Sequence, residues 1–260
     1  MGLRETKASI EEQKCVRLCF RFPGRGAEEL NQQKNAAEQA WTDEYKKAER
    51  FYPAEYVIRM FKGSYPHLKL RDIGYKGQSI ADIGCGDGRH CDFLKTLGFA
   101  RVIGVELTEE ICASNRSELG EGIEFKVGSN SQIPMSDQEL DWLLSWNACY
   151  YLGEQKDFQV HVKEFARVLK PGGKFVFSIP QKSCFIYRDG KEKSPGYCEI
   201  TSDPFNLRNG EILRMFSGAD EIQKSFSPYF EDFTFGKVTD DCFGYNYHWH
   251  LGVATRSATS

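Results

Sequence analysis

The chain lacks an excess of either charge. Its 260 residues carry 34 Lys and Arg against 37 Asp and Glu, a net charge of −3 at pH 7. A nucleic-acid polymer as main partner therefore has no electrostatic case, because backbone phosphates are bound by basic surfaces. No C-x-x-C pair is present. The nine cysteines (Cys15, Cys19, Cys85, Cys91, Cys112, Cys149, Cys184, Cys198 and Cys242) are odd in number and scattered. That pattern argues against a disulfide framework or a zinc site and reads as free thiols in a reducing cytoplasm. No apolar run is long enough to cross a bilayer, and the first twenty residues lack the basic start and apolar stretch of a signal peptide. Internal repeats and low-complexity tracts are absent too. The start Met1-Gly2-Leu3-Arg4-Glu5-Thr6 fits the loose M-G-x-x-x-[ST] acylation pattern. That pattern is short, and one acyl chain anchors only weakly, so no membrane partner is expected.

What is present is an ordinary globular balance, 40% hydrophobic and 27% charged, at a length that suits one decorated domain. Residues 1–40 are polar and poor in periodic apolar positions, so they read as a flexible arm or as a helix that needs a partner surface. Residues 41–78 read as a helical cap, with Trp41, Tyr45, Tyr52, Tyr56, Val57, Met60 and Phe61 near helical spacing and Pro53 placed to open a second helix. From residue 79 strands and helices alternate. Strands are expected at 79–83, 101–107, 122–127, 140–146 and 174–179, with helices at 89–97, 109–119 and 155–169. Such alternation implies an α/β fold: a Rossmann-like, mostly parallel sheet with helices on both faces. Residues 181–216 break the rhythm. Asn209-Gly210 between two extended runs predicts a type I′ β-hairpin inserted after strand five. A helix at 219–225 and two final strands at 229–238 and 245–254 complete a seven-stranded sheet with its last strand antiparallel.

The chemistry concentrates in Asp82-Ile-Gly84-Cys85-Gly86-Asp-Gly88-Arg89, where a strand runs into a glycine turn that opens a helix. Glycines allow tight backbone angles and close ligand approach, and the helix N-terminus offers free N–H groups. A dinucleotide needs G-x-G-x-x-G. Here the third glycine comes one place early, and Asp82 would repel a pyrophosphate. A ligand with a cationic, amino-acid-like end fits better.

The loop resembles the D-x-G-x-G-x-G signature of class I S-adenosylmethionine-dependent methyltransferases. Further features over residues 79–180 follow that family's order. The resemblance implies that Asp82, Gly84, Cys85, Gly86 and Gly88 meet the methionine end of the cofactor. Glu106, 18 residues past Gly88, accepts the ribose hydroxyls, and Leu107 lies on the adenine. The family usually has an acid after Gly128; here Ser129 or Asn130 must serve the adenine amino group. The end of the fourth strand brings Trp146, Asn147, Tyr150 and Tyr151 near the reactive methyl. Leu169-Lys-Pro171-Gly172-Gly173 resembles the family's turn before strand five and carries no chemistry.

The expected function is methyl transfer from S-adenosylmethionine to an N or O atom of a small-molecule acceptor, with Tyr150, Tyr151 and His248 as candidate catalytic groups. His90 either contacts the cofactor's methionine end or caps the turn, and His161 is expected at the surface. His248 and His250 alternate on one strand but lack a third ligand, so no metal is expected. The aromatic residues of the cap and the insertion (Trp41, Tyr45, Tyr52, Phe185, Tyr187, Tyr197 and Phe205) are expected to roof the acceptor pocket, and the hairpin is a candidate homodimer contact. The alternatives are a protein or RNA methyltransferase, a nicotinamide-dependent oxidoreductase, and a non-catalytic cofactor-binding protein.

Overall fold

The computed structural model describes residues 36, 38–45, 52–68, 70–153, 155 and 157–258. The expected arm, apart from its last few residues, and the acylation pattern lie outside the described residues. Helix α1 (38–45) and helix α2 (Glu55–Lys62) form the cap, followed by the single turn α3 (Leu70–Ile73). Pro53 sits one residue before the α2 cap residue, Ala54, rather than inside the helix.

The main sheet contains β1 (Ser79–Ile83), β2 (Arg101–Glu106), β3 (Glu124–Val127), β4 (Leu140–Ser145), β5 (Leu169–Pro180), β9 (Phe230–Cys242) and β10 (Tyr245–Arg256) in the order β3-β2-β1-β4-β5-β10-β9. β1 to β5 pair in parallel. β10 pairs antiparallel with both β5 and β9, so the last strand alone runs against the rest. Helices α4 (Arg89–Thr96), α5 (Glu109–Leu119), α6 (Gln159–Val168) and α7 (Ala219–Phe226) cover the sheet. One core joins α6 and α7 to Phe175, Phe177 and Ile179. The other joins α2, Leu94 of α4 and Cys112 of α5 to Ile80, Trp142 and Val176. Burial on both faces explains why β1, β2 and β4 read as near-continuous apolar runs.

Three expectations need correcting. The expected hairpin after strand five is present, β7 (Tyr197–Ile200) pairing antiparallel with β8 (Ile212–Arg214), but β6 (Gly190–Ser194) adds a third strand to it and its turn chemistry differs. The tight turn of the insertion is Pro195-Gly196, with Gly196 at φ +78°. Asn209-Gly210 sits in the long β7–β8 loop. Only Gly210 of that pair has positive φ, whereas a type I′ turn requires it at both residues. The loop is shaped instead by Asp203, whose buried carboxylate accepts from the Leu207 N–H and pairs with Arg208. The Pro-Gly-Gly segment lies inside the β5 ladder as an irregularity: α6 already stops at Val168, and the β4 register shifts between Leu140 and Trp142. His161 is buried, packed between Phe158 and Phe165 on the inner face of α6.

Candidate active site

The carboxyl ends of β1, β2 and β4 open into a cavity of about 1900 Å³. Ligands of open α/β sheets bind at this edge because the strand-to-helix turns there present backbone N–H groups. Gly84, Gly86 and Gly88 all have positive φ, at 70°, 56° and 74°. A Cβ on Gly84 would lie 2.6 Å from the Ala148 Cβ, and one on Gly86 would lie 2.6 Å from the Tyr45 hydroxyl. Glycine is therefore required by backbone angle and by space together. The loop is held from beneath: the Gly84 and Cys85 N–H groups donate to the Val105 carbonyl. Buried Asn115 on α5 donates from Nδ2 to the Gly86 carbonyl at 2.7 Å. Asn115 was not foreseen; the signal was a polar residue on the same helical face as Ile111 and Cys112.

Glu106 ends β2 and is 7% exposed. Its Oε2 accepts from the Gly86 N–H at 2.9 Å and its Oε1 from the Leu107 N–H at 2.8 Å. Burial pushes its pKa up, and the two N–H groups oppose the shift. Each oxygen keeps a further lone pair, so the carboxylate can still accept from a diol. Leu107 is 45% exposed beside it, an apolar surface at the cavity wall.

Asn130 also lines the cavity. Its Nδ2 donates to the Ala148 and Tyr151 carbonyls at 2.9 and 3.1 Å. Those two bonds fix the amide orientation and leave Oδ1 buried without a donor. Ser129, by contrast, turns its hydroxyl to Ser131. Asp82 is fully buried behind the loop and does not itself line the cavity. No hydrogen bond reaches its carboxyl oxygens, and burial raises its pKa. His90, which does line the cavity, stands in front of it, with Nδ1 3.4 Å from Asp82 Oδ2 and Nε2 accepting from the Ala54 N–H. Cys85 is a buried thiol whose pKa is raised well above normal, first by its hydrogen bond to Cys91 and then by burial. It is no nucleophile.

At the end of β4, Trp146 and Asn147 line the cavity. Asn147 adopts φ +58° and is held there by Ser178, which accepts from its N–H and donates to its Oδ1, both at 2.8 Å. Such a backbone conformation is costly for a non-glycine residue and persists where surrounding contacts enforce it. Tyr151 faces the cavity, and its hydroxyl accepts from Arg208 Nε at 2.8 Å. Tyr150 is wholly buried against Tyr151 and Trp249, with an unpartnered hydroxyl. His248 is bonded through Nδ1 to Ser183 and does not line this cavity.

Of the expected roof, α1 contributes Trp41 and Tyr45, stacked at 5.8 Å. Arg208 of the β7–β8 loop lies 5.4 Å from the Trp41 ring. Phe185 and Tyr187 belong to the core, while Tyr52 is exposed. Arg208 was not foreseen, because nothing local distinguishes an arginine in a long loop. Among the described residues no group of three or more His, Cys, Asp or Glu could hold a metal ion.

Residues 81–177 match the family model described as "Methyltransferase domain". A Mycolicibacterium smegmatis protein named "Probable S-adenosylmethionine-dependent methyltransferase" is 29% identical over 59% of this chain and 53% of its own length. The Bos taurus "Probable tRNA methyltransferase 9B" is 32% identical over 41% of this chain and 23% of its own. The chain thus spans about half of the first relative and about a quarter of the second. The Burkholderia thailandensis 1,6-didemethyltoxoflavin-N1-methyltransferase, solved with 1,6-didemethyltoxoflavin and S-adenosylhomocysteine, superposes with a TM-score of 0.59 at 16% identity, over 88% of this chain and 87% of that one. The match over residues 81–177 and the superposition together support a class I S-adenosylmethionine-dependent methyltransferase fold for the chain.

Proposed function

We propose that the protein transfers the methyl group of S-adenosylmethionine to an N or O atom of a small-molecule acceptor by in-line displacement, in the cytoplasm. The observation that carries this reading is the continuity of one cavity from the glycine loop, Glu106 and Asn130 to Trp41, Tyr151 and Arg208. The unpartnered Asn130 Oδ1 suits an adenine amino group, the lone pairs of Glu106 suit a ribose diol, and the glycine loop suits the methionine end, while both His90 ring nitrogens are turned to Asp82 and Ala54. When bound, the cofactor supplies a methyl already activated by a positively charged sulfur. The protein then has to orient the acceptor and exclude water, and orientation alone is worth on the order of 7–11 kcal/mol in favourable cases.

Burial raises the Tyr151 pKa, and Arg208 only partly offsets it. The hydroxyl therefore stays protonated at neutral pH and orients the acceptor through hydrogen bonds. Tyr150, walled into the core, supports Tyr151, and His248 serves outside this cavity. An amine nitrogen attacks through its own lone pair, whereas a hydroxyl needs a base, for which Glu211 at the cavity wall, its pKa raised by burial and then by Glu38, is the candidate. The roof formed by α1 and the insertion favours a small acceptor over a polymer. The described cysteines are free thiols, in keeping with a reducing compartment. Incubation with methyl-labelled cofactor and either a small-amine and phenol panel or bulk tRNA tests the acceptor class. Label in a small molecule supports the reading; label in tRNA alone contradicts it.

A further inference from the structure

A second cavity, of about 440 Å³, shares no lining residue with the first. It lies where the loop leaving β5 (Gln181, Lys182, Ser183) meets the start of α7 and the β9–β10 surface. Its chemistry is cationic. Lys237 and His250 are direct cross-strand partners, and Lys182 reaches the same space from the loop. Neither lysine side chain forms an ion pair or hydrogen bond with another described residue, whereas the Lys237 backbone pairs within the sheet. Two lysines so placed, with no carboxylate among the lining residues, favour an anion between them.

Two further observations point to a ligand. His250 is 4% exposed, yet its ring bonds to no described residue and faces this cavity. Buried polar groups are otherwise hydrogen-bonded. Burial, reinforced by Lys237, lowers its pKa, so at neutral pH it offers one N–H and one acceptor. The eight-residue helix α7 begins at this wall with Gly218 as an uncapped N-cap residue, so its first backbone N–H groups are available. The acids nearby are accounted for. Glu221 bonds to Arg214, Ser217 N–H and Ser217 Oγ. Asp220 is exposed on the same turn and does not line the cavity.

We propose that this cavity binds a phosphate group, held by Lys182, Lys237, the His250 ring and the first N–H groups of α7. It sits at the carboxyl end of β5, beside but separate from the methyl-transfer cavity, and the assignment does not depend on that reaction.

The test is calorimetric titration of the full chain with inorganic phosphate and with glycerol 3-phosphate at constant ionic strength. The wild type is compared with the Lys182→Gln, Lys237→Gln double variant. Both lysines are exposed, so an unchanged thermal midpoint should show that the variant is folded. Saturable binding that weakens at least tenfold in the double variant supports the site. Tighter glycerol 3-phosphate would identify a phosphate carried on a small molecule, and tighter inorganic phosphate the free ion. No saturable binding of either probe, or equal affinity in the double variant, overturns the proposal.

Discussion

Asn130 stands where the family usually places an acid, and its surroundings explain how an amide can serve. Two carbonyls claim Nδ2, so Oδ1 is the atom left for a ligand donor. An aspartate would set a carboxyl oxygen against those carbonyls. The expected outcome follows: wild type should prefer S-adenosylhomocysteine to its 6-oxo (inosine) analogue by at least about tenfold, the scale of one lost hydrogen bond to a buried partner, and Asn130→Ala should erase most of that preference. Competition binding of the two compounds measures it, and an undiminished preference in the variant would remove Asn130 from the adenine site. His161 gives a pH test. Burial lowers its pKa from 6.5 to about 4, so the folded state binds fewer protons than the unfolded state between those values. Stability from this group is full above pH 6.5 and is lost as the pH falls towards 4, in total about 3 kcal/mol. Denaturant unfolding at pH 7.5 and 5 should show a larger fall for wild type than for His161→Gln. Equal falls would contradict the assignment. The family resemblance pointed to Glu106 beside the three glycines, and the structure brings them together through the Gly86 N–H to Glu106 bond. Sequence spacing did not locate the burial of His161, since a histidine between two phenylalanines on one helix reads equally as a wet or a packed face.

At the scale of elements, the parallel strands were legible as apolar runs bounded by glycine turns. The insertion was legible as the β7–β8 hairpin but not as three strands. Its Asn-Gly pair carries the local turn signal, but Asp203 and Arg208 organise that loop through tertiary bonds, while Pro195-Gly196 makes the tight turn. The cap has a definite task. The Tyr45 hydroxyl lies so close to Gly86 that no Cβ would fit there, and burial together with the nearby Glu106 charge keeps its pKa high, hence protonated. Helix α1 therefore lies over the glycine loop. Tyr45→Ala is expected to raise the cofactor dissociation rate about tenfold or more, the effect of truncating a buried aromatic contact. Stopped-flow displacement reads that rate directly; an unchanged rate would mean that α1 does not cover the bound cofactor.

Across the whole molecule, the sheet order places the glycine loop, the β2 acid and the β4 terminus along one edge. The antiparallel β9–β10 pair extends the opposite side and carries the cationic cavity. No helix among the described residues is long and apolar enough to cross a membrane. The central claim, a cofactor site for S-adenosylmethionine built on Glu106, is tested most directly by calorimetric titration of wild type and Glu106→Ala with S-adenosylmethionine, S-adenosylhomocysteine and a nicotinamide dinucleotide. The account expects micromolar binding of the first two, weakened at least tenfold by the substitution as hydrogen bonds to a charged group are lost, and no binding of the third. Binding of the dinucleotide alone, or cofactor affinity indifferent to Glu106, would contradict it.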